Sequence, residues 1–408
     1  MTMNAPQLRF KIKNGKDYPE WSAAKLSEVA TYGKGIGFSK SDLDDSGYPI
    51  ILYGQMYTNY KTEINNAITF TYKNKEGVIS CGNEVIIPAS GETAEDISIA
   101  SAIKKQGILI GGDINILYPC KKIDPVFLAY SITFGRLHKE LSKKAQGKSI
   151  VHLHRKDIEE AVLLFPCLDE QHKLVSFFCQ IDHLIENLER QICSLGVIKK
   201  CFLQKIFSQE IRFKNKNFPA WSEVSFNEAF ESFKYGVNAP AKIYDGENRY
   251  LRITDIDDES RELVSDDITS PNFYLSDIYL AKEGDIFFAR TGATVGKTYL
   301  YKKADGKLYY AGYLICGHVS NKFDRNFIFQ LTLTHYYNKW VKITSTRTGQ
   351  PGINSEEYKS FKFNCPVLEE QQQIGKFLSL FDNLIKKYRI KISCLEKIKK
   401  SLLQQMFI

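Results

Sequence analysis

The sequence predicts an α+β protein in which two mixed α/β heads are joined by two long α-helices that pair as an antiparallel coiled coil. Three observations predict it. The chain is written twice at an offset of about 200 residues, each copy ends in a long amphipathic ladder, and the segments before the ladders carry short strand-like runs.

The repeat comes first, because a missed repeat mis-assigns the whole fold. "RFKIKNGKDYPEW" (9–21) returns as "RFKNKNFPAW" (212–221), and "PCLDEQHKLVSFFCQIDHLIENL" (166–188) returns as "PVLEEQQQIGKFLSLFDNLIKKY" (366–388). Pro166, Leu168, Glu170, Gln171, Asp182, Leu184 and Ile185 all meet an identical residue 200 positions later. Both ends of one unit therefore share a register, and the chain is a pseudo-twofold internal repeat.

In the first ladder the apolar positions are Leu174, Phe178, Ile181, Ile185, Leu188, Ile192, Leu195, Ile198, Phe202 and Ile206. Through Leu195 they alternate steps of four and three, as a coiled-coil seam does, and they then continue through Ile198, Phe202 and Ile206. The second ladder reads Ile374, Leu378, Phe381, Ile385, Tyr388, Ile392, Leu395, Ile398, Leu402 and Met406. Each predicts a helix of about 40 residues, roughly 60 Å long at 1.5 Å per residue, with Pro166 and Pro366 just outside its start. A narrow stripe on so long a helix must be covered, and the other copy is the available partner. An antiparallel pairing would carry the intervening segments to opposite ends of a rod.

Those segments read as mixed α and β, with strand-like runs at 84–89, 108–119, 248–256 and 307–320. The expected domains are a head over 1–165, a helix over 166–209, a second head over 210–365 and a final helix over 366–408. Between the heads only short anchors align: "GNEVIIPASGET" (82–93) with "GDIFFARTGAT" (284–294), and "AQGKSIVHL" (145–153) with "RTGQPGINS" (347–355).

Composition bounds the function. The 408 residues carry a net charge of +8 and are 43 % apolar, enough for ordinary cores and permissive of a polyanionic partner. Nine scattered cysteines without a CxxC pair argue against a disulfide framework and a zinc site, and no run approaches a membrane span, so a cytoplasmic location is expected.

"RTGATVGKT" (290–298) resembles a phosphate loop but fails the pattern GxxxxGK[ST], since Thr291 stands where the first glycine belongs. The residues after it, 299–315, are aromatic and turn-rich, with no helix to receive a phosphate. "GKGIG" (33–37) lacks the dinucleotide spacing, "SPNF" (270–273) lacks the second proline of a methyltransferase tetrapeptide, and the seven histidines form no metal pattern. No catalytic or metal-binding residue is expected in this chain.

Two divergent heads, two near-copied helices opening P-x-L-[DE]-E-Q, and an "[YF]PxW" leader before each head together resemble the specificity subunits of type I restriction-modification systems. "SGETAEDI" (90–97) and "RTGATVGK" are similar to segments of that family's target-recognition domains. The resemblance implies a non-catalytic subunit whose heads each read one half of a split, asymmetric double-stranded DNA site, with the helices as a ruler. It implies docking of two adenine methyltransferase subunits and two ATP-driven motor and nuclease subunits, so that S-adenosylmethionine, ATP and Mg belong to partners and no cofactor to this chain.

DNA reading needs cations for phosphates and forked or amide side chains for base edges. In the second head the expected set is Arg252 and Thr254 on one strand face, Arg290, Thr291, Gly292, Thr294 and Lys297 in the glycine-flanked loop, and Arg347 and Gln350. In the first it is Lys34, Tyr53, Gln55, Ser90, Gly91, Thr93 and Lys148. Glu170, Gln171, Glu370 and Gln371, identical in both helix starts, are expected to meet partner subunits. Competing readings are a two-headed adaptor that binds no DNA, an ATP-using enzyme, and the specificity partner of a methylation system without the motor.

Overall fold

The computed structural model describes residues 6–72, 77–147, 150–213, 218–264 and 267–407. The chain divides into two compact units, Met1–Asn187 with Lys391–Ile408, and Leu188–Ile390. The division cuts both long helices, Leu168–Phe207 (the central helix) and Leu368–Met406 (the C-terminal helix). Each unit is therefore a mixed α/β head plus part of each helix.

In the first unit a five-stranded sheet has the order Ala30–Lys34, Ile114–Pro119, Val85–Pro88, Ser101–Ile103, Glu63–Ile64. Its strands are antiparallel except the last pair. Val85, Ile87 and Leu117 face a core with Phe127 and Tyr130 of the helix Pro125–Phe134, while Ile86, Ile114 and Ile116 face a second cluster with Ile51 and Ile110. Strand alternation thus splits one sheet between two cores, which is why its central strands read as unbroken apolar runs. Ser22–Lys25 pairs with Val162–Phe165, closing the head beside the start of the central helix.

The second unit repeats this frame. Ser222–Ser225 pairs with Lys362–Cys365, and a four-stranded antiparallel sheet runs Phe230–Tyr235, Leu314–Val319, Asp285–Ala289, Thr298–Leu300. The predicted strand over 108–119 is broken at Gly111 and Gly112 into Leu109–Ile110 and Ile114–Pro119, and that over 307–320 into Lys307–Tyr310 and Leu314–Val319. In the first case the break admits another backbone: a Cβ on Gly35 would lie 1.9 Å from the Gly111 carbonyl oxygen. Gly35 of "GKGIG" thus serves packing.

The helices run antiparallel within each unit. In the first, Leu174 and Phe178 pack with Leu403, Met406 and Phe407, and Phe407 lies 5.5–5.8 Å from the rings of Phe127, Tyr130 and Phe178. In the second, Leu203 and Ile206 pack with Ile374 and Leu378, and Phe202 meets Phe377 and Phe381. The ladder departs from expectation at one place in each copy. Ile198 and Ile398 are 44 % and 50 % exposed, whereas Leu203 and Leu403 are buried. Lys199 and Lys399, the next residue in each copy, take the covered place there instead, their side chains 13 % and 15 % exposed.

Candidate nucleic-acid interface

The loop 290–297 joins Asp285–Ala289 to Thr298–Leu300 and turns through Gly292 and Gly296, both with positive φ (81° and 83°). A strand comes after it, so no ring of free helix N–H groups faces the loop, as a phosphate cradle would need. Lys297 is buried, with its Nζ 2.7 Å from Asp258 Oδ1. That ammonium, by hydrogen bond and charge, holds the Asp258 carboxyl below the usual carboxylate range. This corrects the expectation that Lys297 faces a polyanion: it is spent inside the head.

The side chain that the loop presents is Arg290. Its guanidinium lies 5.1 Å over the ring of Tyr235, from the strand Phe230–Tyr235, and its buried Nε has no hydrogen-bond partner. The two sequence anchors of this head meet here. Thr291 bridges to Gly352, Gly292 N donates to Pro351 O (3.0 Å), and Ile353 N donates to Arg290 O (2.9 Å). A Cβ on Gly292 would lie 3.2 Å from the amide nitrogen of exposed Gln350, so Arg290, Thr291, Gly292 and Gln350 form one patch. Thr294 is half-buried in the same turn, its carbonyl accepting from Lys297 N. Arg347 is exposed but engaged, paired with Glu357 and donating to Thr344 O (2.8 Å).

Arg252 and Thr254 do not share a strand face. The strand stops at Leu251, and Arg252 precedes a 3-10 turn, Ile253–Asp255. Arg252 donates to Asp255 (2.7 Å) and Asp267 (3.0 Å), and its hydrogen bond to Asp255 helps hold its pKa above the ordinary arginine value. The pattern "RITD" reads as alternation, but the aspartate three residues on captures the turn. Thr254 alone is exposed.

The first head brings its own two anchors together in the same way. Val151 pairs with Gly91 and His152 with Ser90. Ser90 and Gly91 are buried, and a Cβ on Gly91 would lie 2.6 Å from Ile97, so both are corrected from contact residues to packing residues. Thr93 is exposed and caps the turn Ala94–Ile97, accepting from Asp96 N at 3.1 Å. Gln55 is engaged internally, donating to Thr69 Oγ1 (3.0 Å) and accepting from Leu52 N (3.1 Å). Tyr53 is half-buried beside Tyr57, Lys34 is exposed at the end of its strand, and Lys148 lies outside the described residues.

Sequence reading missed Tyr32, Arg155, His152, His154 and Tyr235. Arg155, whose Nε donates to Glu159 Oε1 at 2.7 Å, lies 4.8 Å over the ring of Tyr32, and the rings of exposed His152 and His154 stack at 6.4 Å. In each head an arginine guanidinium thus lies over the ring of a tyrosine of the first long strand. The signal was faint, because Arg155 and Arg290 come from different elements.

The four residues expected to meet partners are buried in their own units, which corrects that expectation. Glu170 and Glu370 each take a forked arginine, Arg9 at 2.6 and 3.0 Å and Arg212 at 2.7 and 3.0 Å. The same arginines donate to Pro19 O and Pro219 O of the leaders. Gln171 and Gln371 accept from Asp124 N and Asp324 N (2.8 and 2.9 Å) and donate to Pro166 O and Pro366 O. P-x-L-[DE]-E-Q is therefore the joint tying leader, head helix and long helix. Among the described residues no helix is long and apolar enough to cross a membrane.

The sequence model of the family described as "Type I restriction modification DNA specificity domain" matches residues 18–194 and 238–393. The type I restriction enzyme MjaVIII specificity subunit of Methanocaldococcus jannaschii is 26 % identical, covering 97 % of this chain and 94 % of its own. The type I restriction enzyme StySPI specificity subunit of Salmonella potsdam is 23 % identical over 89 % of this chain and 82 % of its own. The crystal structure of the S subunit of a type I restriction-modification system from M. genitalium shares the fold, with a TM-score of 0.66, 16 % identity and 99 % of each chain covered. A matching family model over two segments that together span most of the chain places it without ambiguity: the chain belongs to the type I restriction modification DNA specificity family, the family of the specificity subunits.

Proposed function

We propose that each head reads one half of a bipartite, asymmetric double-stranded DNA site. The observation that carries this reading is the duplicated meeting of anchor segments, each beside an arginine held over a tyrosine ring: Arg290 over Tyr235, and Arg155 over Tyr32. A guanidinium restrained over an aromatic ring loses less freedom when its fork meets a guanine edge or a phosphate. Gln350, Thr291, Thr294, Thr254 and Arg347 surround it or line the same head, and Lys34, Tyr53, Thr93, His152 and His154 serve the other.

The long helices set the gap between half-sites and dock two adenine methyltransferase subunits and two motor and nuclease subunits in the cytoplasm. Recognition is this chain's part. S-adenosylmethionine, ATP and Mg are bound by the partners, whose chemistry needs them. Exchanging residues 222–365 for another head is expected to change one half of the methylated sequence and leave the other intact. A change in both halves, or in neither, would refute the modular reading. Binding should also weaken steeply with salt, as phosphate contacts release counterions, whereas a two-headed protein adaptor would show no such DNA affinity.

A further inference from the structure

Asp182 and Lys199 stand seventeen residues apart on the central helix, and so do Asp382 and Lys399 on the C-terminal helix. In the second unit Lys199 Nζ donates to Asp382 Oδ1 at 2.6 Å, and in the first Lys399 donates to Asp182. The lysine side chains are only 13 % and 15 % exposed. Each carboxylate also takes a donor from its head's helix: Tyr130 Oη gives to Asp182 and Gln330 Nε2 to Asp382, both at 2.7 Å.

A seam built for stability alone would carry leucine at these positions, since a partly desolvated ion pair, its carboxylates 27 % and 32 % exposed, seldom outperforms an apolar pair of the same size. Charged groups in such a seam are instead suited to fixing register. The sequence makes the wrong registers costly. Sliding one helix by a turn of four residues sets Asp182 against Leu403 or Leu395, and Asp382 against Leu203 or Leu195. Lys199 would then face Lys386 or Leu378. Either direction sets both carboxylates against leucine with no facing cation.

We propose that the pairs Asp182–Lys399 and Asp382–Lys199 set the register of the two helices, and through it the one gap length that the chain accepts between half-sites. The second half of this statement rests on the DNA-reading function proposed above. The hydrogen bonds from Tyr130 and Gln330 tie the same carboxylates to the heads, so register and head position are fixed at one atom group in each unit.

The test replaces Asp182, Lys199, Asp382 and Lys399 together by leucine in the full chain, expressed with its methyltransferase partner. Adenine-methylation sequencing reads the gap between half-sites, and spin labels attached through bio-orthogonal side chains at Leu184 and Glu396, both in the first unit, read the register directly. The natural chain is expected to give one gap and one label distance, and the variant to give several of each, with off-gap sites rising severalfold. Should the leucines prevent folding, Asp182→Asn with Asp382→Asn keeps an acceptor for Tyr130 and Gln330 and carries the test. A folded variant with one gap and one label distance overturns the proposal. If the natural chain directs no bipartite methylation, the DNA-reading function fails, while the label distances still decide the register.

Discussion

The guanidinium of Arg290 lies 5.1 Å above the ring of Tyr235, and its buried Nε has no partner within the head. A cation held over an aromatic face is attracted by the ring quadrupole. The contact thereby restrains the guanidinium before any ligand arrives.

Replacing Arg290 by lysine keeps the charge and loses the fork. Arg290→Lys is expected to weaken DNA binding of the assembled complex by about 1–3 kcal/mol and to relax discrimination at one base position of one half-site. Tyr235→Leu should have a smaller effect in the same direction. Binding titrations against single-base variants of the site check both, and equal losses on every sequence would instead make Arg290 a phosphate contact.

Lys297 should behave as a structural residue. Lys297→Met is expected to leave the salt dependence of DNA binding and the ATP turnover of the assembled complex unchanged, and to lower the melting temperature slightly. The pH dependence has a definite sign. Asp258 has a depressed carboxyl pKa in the folded chain because of Lys297, so the pair's contribution is complete above the unfolded value of about 3.9 and is lost as pH falls below it. The difference in melting temperature between the two proteins should be flat from pH 7 to about 5 and shrink below about 4.

The buried glutamates of the joint give the largest expected losses. Arg9→Ala leaves Glu170 charged and nearly inaccessible, and Arg212→Ala does the same to Glu370. Breaking a buried pair from one side costs about 3–5 kcal/mol. Calorimetric unfolding should show that loss for each variant, and a change confined to partner binding would restore a docking role to these side chains.

Gly375 sits inside the C-terminal helix, where alanine normally adds about 1 kcal/mol of helix propensity. Here a Cβ would lie 2.4 Å from Asp324 Oδ1 and 2.9 Å from Phe327 N, the cap of the helix Arg325–Leu331. The cap contact outweighs the propensity, since losing it costs about 1 kcal/mol and the clash adds to that. Gly375→Ala is therefore expected to destabilise the protein, measured as a lower denaturation midpoint.

The helices and the α+β class were legible because periodicity and repetition are local signals that survive divergence. The seam's detail was not. Ile198 and Ile398 fit the ladder by spacing, yet lysines next to them take the half-buried positions once a partner carboxylate arrives from a distant helix. Glu170 and Glu370 misled for a related reason: an identical charged residue reads as a contact until its arginine is found 161 or 158 residues away. In the heads the loops carrying Arg290 and Gln350 were found, since glycine and strand patterns frame them. Arg252 was not placed correctly, because one aspartate three residues on converts an alternating pattern into a turn.

Phe407 in the core of the first unit sets an order of events during synthesis. Leu188–Ile390 is a continuous stretch whose core closes within itself, whereas the first unit recruits Leu403, Met406 and Phe407 from beyond the whole of the second unit. The head that leaves the ribosome first must therefore wait, with part of its aromatic core uncovered, until the stretch 391–407, which follows the whole of the second unit, has cleared the exit tunnel. The later head finishes folding before the earlier one.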